Sequence, residues 1–245
     1  MPDLTAAETV RAADEIVHDI GSKWMLDPAV SEHGRELGYA NPFAFYFAGR
    51  GGVLGDVDGG VVWAALGFFE AGVVRAMWDE GVAVAGAREA ARRYAKAFRA
   101  WGEEHLPDDP RLCELAERVA NAADGAGLPL FCGWRAEPLP ERGPGRLVQV
   151  LQVLRELRGG QHLVATTAVG LSPLEAILIH EGEGKARFCG WQGDLPDCSD
   201  REPLRAEAEE ITDRLSAAVY EKALSPSERA EFAELVEKAG SAVLG

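Results

Sequence analysis

The sequence predicts an all-α fold of about ten helices, and three observations predict it. Apolar residues recur at helical spacing along most of the chain. Almost no run shows the period-two alternation of a half-buried strand, and several candidate helix starts pair a capping side chain with a following proline. Only the glycine-rich stretch 181–200 leaves room for a short hairpin.

Each element has a local reason. Thr5 followed by Glu8 forms a capping box, in which hydroxyl and carboxylate each take a free backbone N–H of the first turn. Asp27-Pro28 and Asn41-Pro42 open the next two helices, because proline's missing N–H costs nothing at the first helical position. The second of these runs through "PFAFYFAGR". Apolar segments at 57–69 and 71–80 follow, then the amphipathic 85–106 and a helix opened by Asp108-Asp109-Pro110 that ends at Gly125 and Gly127. Segment 128–145 is crowded with glycine and proline and reads as the longest irregular connection. Arg146 to Leu157 carries a leucine stripe at 147, 151, 154 and 157. Ser172-Pro173 opens "PLEAILIH", 181–200 is irregular again, and helices over 201–223 and 226–242 close the chain. The stretch Phe-Cys-Gly-Trp occurs twice, at 131–134 and 188–191, so both copies are expected in the two longest loops. Regions 1–127 and 128–245 are expected to form one integrated domain.

Charge narrows the function. The 245 residues carry a net charge of −15, which repels a phosphate backbone at long range. The one basic run, Arg88, Arg92, Arg93, Lys96 and Arg99, is followed by Glu103 and Glu104 and reads as a solvated helix face. The first residues carry charges throughout and no apolar signal core. The most apolar run, 59–78, is interrupted by Glu70, Arg75 and glycines, which fits a buried helix pair better than a membrane span. The expectation is a cytoplasmic protein with reduced thiols.

Four motifs carry chemistry. Cys113, Cys132, Cys189 and Cys198 lack the closely spaced pair of a zinc site, so Cys132, Cys189 and Cys198 would meet at a metal only through the fold; buried apolar cysteine is the simpler reading. "YFAGRGGVLGDV" places Arg50 in a glycine-rich corner with Tyr46 one turn before it. It is either a tight helix–helix corner or an anion-holding arginine; no strand precedes it, so neither the dinucleotide fingerprint nor the P-loop applies. "LRELRGGQHLVAT" sets Arg155 and Arg158 before Gly159-Gly160, a pair whose cost inside a helix implies close approach or a kink, and then His162. His162 is a hydrogen-bonded core residue or an acid–base catalyst. Trp134 and Trp191, from the two Phe-Cys-Gly-Trp copies, are expected to pack inward, near each other or over a common cavity.

At "YFAGRGGVLGDV", "GLPLFCGWRAEPLP", "LRELRGGQHLVA" and "GLSPLEAILIHEGEGKARFCGW" the sequence resembles an actinobacterial family of helix-turn-helix proteins, distantly similar to MarR-type winged-helix regulators. The resemblance implies a winged-helix-like C-terminal half in 128–245 and a homodimer paired through terminal helices, here 201–242. It also implies alanine or tyrosine in place of the cysteine of Phe-Cys-Gly-Trp, which moves interest to the tryptophans. The chain departs where a charged recognition helix and wing would follow "GLSPLEAILIH": the place is taken by "EGEGKARFCGWQGDLPDCSD", so the DNA-reading segment looks degenerate.

Three functions compete at this point. The first is a small-molecule binding protein, its aromatic-lined interhelical pocket using Tyr46, Arg50, Arg158, Trp134 and Trp191. The second is a cofactor-independent lyase, isomerase or cyclase of secondary metabolism, acting through His162 and Arg50 on a natural-product-like substrate. The third is a transcriptional regulator. The first is preferred, with no cofactor, metal, nucleic acid or membrane partner expected.

Overall fold

A computed structural model of the chain describes residues 2–244. All regular structure among them is helical: α1 (Ala6–Lys23), α2 (Pro28–Glu36), α3 (Pro42–Gly51), α4 (Gly59–Leu66), α5 (Ala71–Ala85), α6 (Ala87–His105), α7 (Pro110–Ala122), α8 (Pro129–Ala136), α9 (Pro144–Ala168), α10 (Pro173–His180), α11 (Gly182–Phe188), α12 (Glu202–Ala223) and α13 (Pro226–Leu244). The all-α expectation holds. The caps stand where the local sequence puts them: Thr5 and Ser172 form capping boxes with Glu8 and Glu175, and Asp27, Asn41 and Asp109 each accept a first-turn N–H.

Three expectations are corrected. Segment 128–145 contains α8, and 181–200 contains α11 and a short 3-10 turn at Ser199–Arg201 in place of any hairpin. Both Phe-Cys-Gly-Trp copies therefore sit on or at the end of a short helix and not within long loops. Helices of seven and eight residues are marginal by propensity alone. These two form because tertiary packing covers them, a contribution no local pattern reports. The third correction is α9, which continues unbroken through Gly159-Gly160 to Ala168. A Cβ at Gly160 would lie 2.9 Å from Leu128 Cδ2, so close approach accounts for Gly160, and no contact explains Gly159.

The centre of the fold is α9, which packs against α1, α6, α7, α8 and α12. Its face is buried almost all round, from Leu147 through Leu157. The main hydrophobic cluster runs from Val10 to Ala239 and includes Trp24, Trp78, Tyr94, Phe98 and Trp134. A small second cluster, Ile177, Ala186 and Cys189, is covered by Phe68, Phe69 and Trp191. Phe69 packs on both. Among the described residues no single helix is long and apolar enough to cross a membrane.

Candidate functional site

The glycine-rich corner is a packing device. A Cβ at Gly49 would sit 2.4 Å from Tyr94 Cγ, and one at Gly52 would sit 2.2 Å from the Ala87 carbonyl oxygen. The two glycines let α3 and the turn after it lie directly on α6. This brings Arg50, 6% exposed, into the core against α9. Its Nε and Nη2 donate to the two carboxylate oxygens of Glu156 at 2.7 and 2.8 Å, and its Nη1 donates to Tyr46 Oη at 2.6 Å. Gln152 and Arg155 also donate to Glu156, at 2.7 and 3.2 Å. Burial alone would raise the Glu156 carboxyl; the guanidinium of Arg50, then that of Arg155, with the hydrogen bonds from Arg50 and Gln152, outweigh it and hold it at about 2. Arg50 is thereby committed to Glu156 and Tyr46 inside the core.

Trp134 closes the same corner. Its indole N–H donates to the Arg50 carbonyl oxygen at 3.1 Å, and the side chain is fully buried. Trp191 does the equivalent elsewhere: its indole N–H donates to the Phe68 carbonyl oxygen at 3.1 Å, in the smaller cluster. Tyr46, Arg50 and Trp134 are thus brought together, and Trp191 belongs to another cluster.

Arg158 and His162 meet on a second polar network, between α1, α9 and α12. Arg158 Nη2 donates to Glu209 at 3.1 Å, and its Nε stands 3.6 Å from Asp14 Oδ2, beyond hydrogen-bond reach. Glu209 also pairs with Arg205 and lies 3.9 Å from His162 Nδ1. Thr212 spends its own proton on the Ala208 carbonyl at 2.7 Å, so it accepts from His162 Nδ1–H at 3.0 Å. Nε2 is left as the free acceptor, with the ring stacked on Phe68 at 5.9 Å. Burial depresses the imidazole to about 4 against the opposing pull of Glu209, so the ring is neutral at pH 7.

Next to this network lies a cavity of about 20 Å³ walled by Asp14, His18, Arg155, Arg158, Ser216 and Tyr220, with Val17, Val119 and Leu154 among its apolar lining. Asp14 is 7% exposed. Tyr220 Oη donates to Asp14 Oδ1 at 2.6 Å, whereas Asp14 Oδ2, Arg155 Nε and Arg158 Nε are buried without a hydrogen-bond partner. Burial raises the Asp14 carboxyl above its ordinary value, opposed by the Tyr220 hydrogen bond and Arg158. Polar atoms without hydrogen bonds, a buried acid and two guanidiniums converge here, which makes the cavity a candidate site. Of the six candidate site residues, Arg158 alone lines it, next to Arg155 from the same motif; Tyr46, Arg50, Trp134, Trp191 and His162 line neither this cavity nor the groove beside α10 described below.

Asp14, Arg155 and Glu156 were legible in part. Asp14 interrupts the Val10, Ala13, Val17 stripe of α1, and Gln149, Gln152 and Glu156 fall at helical spacing among the valines and leucines of 147–157. A charge in such a place must be paired. Among the described residues, no group of three or more His, Cys, Asp or Glu side chains could hold a metal ion. Cys132 Sγ faces the Gly125 carbonyl at 3.4 Å, and Cys189 and Cys198 are buried.

The segment after α9 has its own geometry. α9 and α10 cross at 108°, joined by a four-residue turn, 169–172, that contains Gly170 at φ +75°. Perpendicular helices joined by a short glycine-bearing turn are the shape of a helix-turn-helix. A helix-turn-helix family matches the chain over residues 7–197, which include this unit.

The chain belongs to that helix-turn-helix family.

No curated protein and no solved structure matches the chain. Membership does not bring a basic reading surface with it. α10 carries no lysine or arginine, and on α11 Lys185 and Arg187 are tied to Glu181 and Glu183 at 2.9 and 3.1 Å.

Proposed function

We propose that this helix-turn-helix family member binds a small molecule between α1, α9 and α12 and does not read DNA. The observation that carries the reading is the set of three orphaned polar atoms, Asp14 Oδ2, Arg155 Nε and Arg158 Nε, around one cavity. Asp14 Oδ2 and Arg158 Nε face each other at 3.6 Å, an ion pair short of hydrogen-bond contact, and a buried polar atom without a hydrogen bond costs about 1–3 kcal/mol, so the site favours an occupant that supplies both an acceptor and a donor. The cavity of about 20 Å³ has room for about one water-sized group, so only the polar tip of a ligand would enter it, beside half-exposed His18. This differs from an aromatic-lined pocket: Tyr220 is the one aromatic ring other than His18 in the lining.

The case against groove reading rests on charge. A recognition helix contacts phosphates and base edges mainly through arginine, lysine and amide side chains. α10 offers Leu174, Glu175, Leu178 and Ile179, the basic residues of α11 are paired to glutamates, and the whole chain carries −15. A MarR-like ancestry with a degenerate reading segment, and a homodimer through the terminal helices, fit the same picture.

The test is native mass spectrometry of the purified chain, followed by melting curves with any co-purified compound. A ligand at a hundredfold excess over Kd should raise the melting temperature by roughly 5–10 °C. The rise should vanish in Val119→Trp, which fills the cavity. A sequence-specific gel shift with duplex DNA at about 150 mM salt, the ionic strength at which weak phosphate contacts are screened, would falsify the no-DNA reading.

A further inference from the structure

The segment that follows α10 encloses a second and larger concavity, a groove of about 410 Å³ between α10, α11, residues 195–199 and the first turn of α12. That volume lies in the range of drug-sized sites, roughly 300–1,000 Å³. Its apolar lining is Leu178, Ile179, Leu195 and Pro196, and its charged lining is Glu183, Asp197 and Glu202, with no lysine, arginine or histidine. The neighbouring cations are engaged elsewhere: Lys185 with Glu181 at 2.9 Å, and Arg201 with Glu175 at 3.7 Å.

The three carboxylates are not equivalent. Glu183 accepts from Arg187 at 3.1 Å, and Asp197 accepts the Ser199 N–H at 3.0 Å. Glu202 has no ion pair or hydrogen bond among the described residues and stands exposed at the start of α12. A hydrated divalent ion would need a shell of oxygens, and the carboxylates do not converge to give one. An organic anion would meet Asp197 and Glu202, neither of which has a cationic partner among the described residues. A groove that sets Leu178, Ile179 and Leu195 beside carboxylates is complementary to a bulky molecule with one positive centre.

We propose that this groove binds a lipophilic organic cation, an ammonium or phosphonium carrying an apolar body, with the body on Leu178, Ile179 and Leu195 and the positive centre beside Glu202. The site is independent of the cavity at Asp14 and Arg158.

The test uses a matched pair of probes on the full chain, tetraphenylphosphonium and tetraphenylborate, which share shape and differ in sign. Calorimetric titration should show one saturable site for the cation, none for the anion, and an affinity that falls as salt rises from 20 to 200 mM, across the range where the Debye length shrinks to about 7 Å. Glu183→Gln/Glu202→Gln should weaken the cation roughly five- to tenfold, the size of two partly screened charges at contact range. Glu234→Gln/Glu237→Gln, exposed on α13, removes the same net charge and should leave binding unchanged. Ile179→Trp should abolish it by filling the groove. Absence of a saturable cation site, equal binding of the borate, or equal losses in the α13 and groove variants would each overturn the proposal. Circular dichroism of each variant verifies that the helices are retained.

Discussion

The guanidinium of Arg50 and the carboxylate of Glu156, 106 residues apart, close a two-point ion pair at 2.7 and 2.8 Å, with both side chains buried in the centre of the protein. It joins the glycine corner after α3 to the middle of α9. A buried pair adds little over apolar residues of the same shape, but losing one partner strands the other charge. Glu156→Gln is therefore expected to lower stability by about 3–5 kcal/mol, and Arg50→Met in the same background to restore part of it. Urea unfolding of the single and double variants at pH 7 checks this; equal losses for single and double variants would refute the pairing argument.

The same carboxylate sets an acid limit. Its native value of about 2 lies below the ordinary 4.5, so the unfolded chain binds the proton first as pH falls. The pair's contribution is complete above pH 4.5 and is lost as pH falls towards 2. Unfolding midpoints measured from pH 5 to pH 2 should fall in the wild type and fall less in Arg50→Met/Glu156→Gln.

His162 acts in the next window. Its native value of about 4 is below the ordinary imidazole's 6.5, so between these the unfolded state takes the proton and stability rises with pH. His162→Gln should flatten the stability slope between pH 6.5 and pH 4, read as the difference in urea midpoints. An unchanged slope would place the titration elsewhere.

Asp14 has the opposite sign. Its carboxyl is raised, so the folded state holds a proton after the unfolded chain has lost it, and stability falls as pH climbs above 3.8. Asp14→Asn keeps an acceptor for Tyr220 and removes the buried charge. Its stability relative to wild type is expected to improve from pH 3.5 to pH 8; a difference constant across that span would show Asp14 to be ordinary.

The recurrent Gly-Trp dipeptides make a paired prediction. A Cβ on Gly133 would lie 2.6 Å from Val53 Cγ2, and one on Gly190, at φ +94°, would lie 2.7 Å from Val73 Cγ2. Gly133→Ala should cost about 1–3 kcal/mol through overpacking. Val53→Ala should recover part of that loss, whereas Val73→Ala recovers less of the Gly190→Ala loss because the left-handed backbone strain remains. Thermal melts of the four single and two double variants separate the two effects.

The recurrence also shows how far the sequence could be followed. Phe-Cys-Gly-Trp suggested a metal pair, or two walls of one cavity. What the copies share is a construction: glycine lets the chain pass close to a valine, and tryptophan donates its N–H to a nearby carbonyl, Arg50's in one case and Phe68's in the other. The phenylalanines differ, Phe131 fully buried and Phe188 46% exposed. No local pattern distinguishes them, because their burial depends on which helix lies opposite.

By itself the sequence determined the helices with strong caps, the all-α class, and the weakness of any electrostatic pull towards nucleic acid. Capping, proline placement and apolar spacing act within a few residues, so one stretch of chain contains all the information they need. Only the tertiary structure decided what the charged residues do. Arg50 is committed to Glu156 and Tyr46, Arg158 reaches the cavity beside Asp14, and His162 is anchored by Thr212 and stacked on Phe68. Apart from Tyr46, on Arg50's own helix, those partners come from elements 50 to 144 positions away, and a buried charge is defined by the partner that neutralises it. The short helices α8 and α11 follow the same logic, since packing supplies the stability that their own seven or eight residues lack.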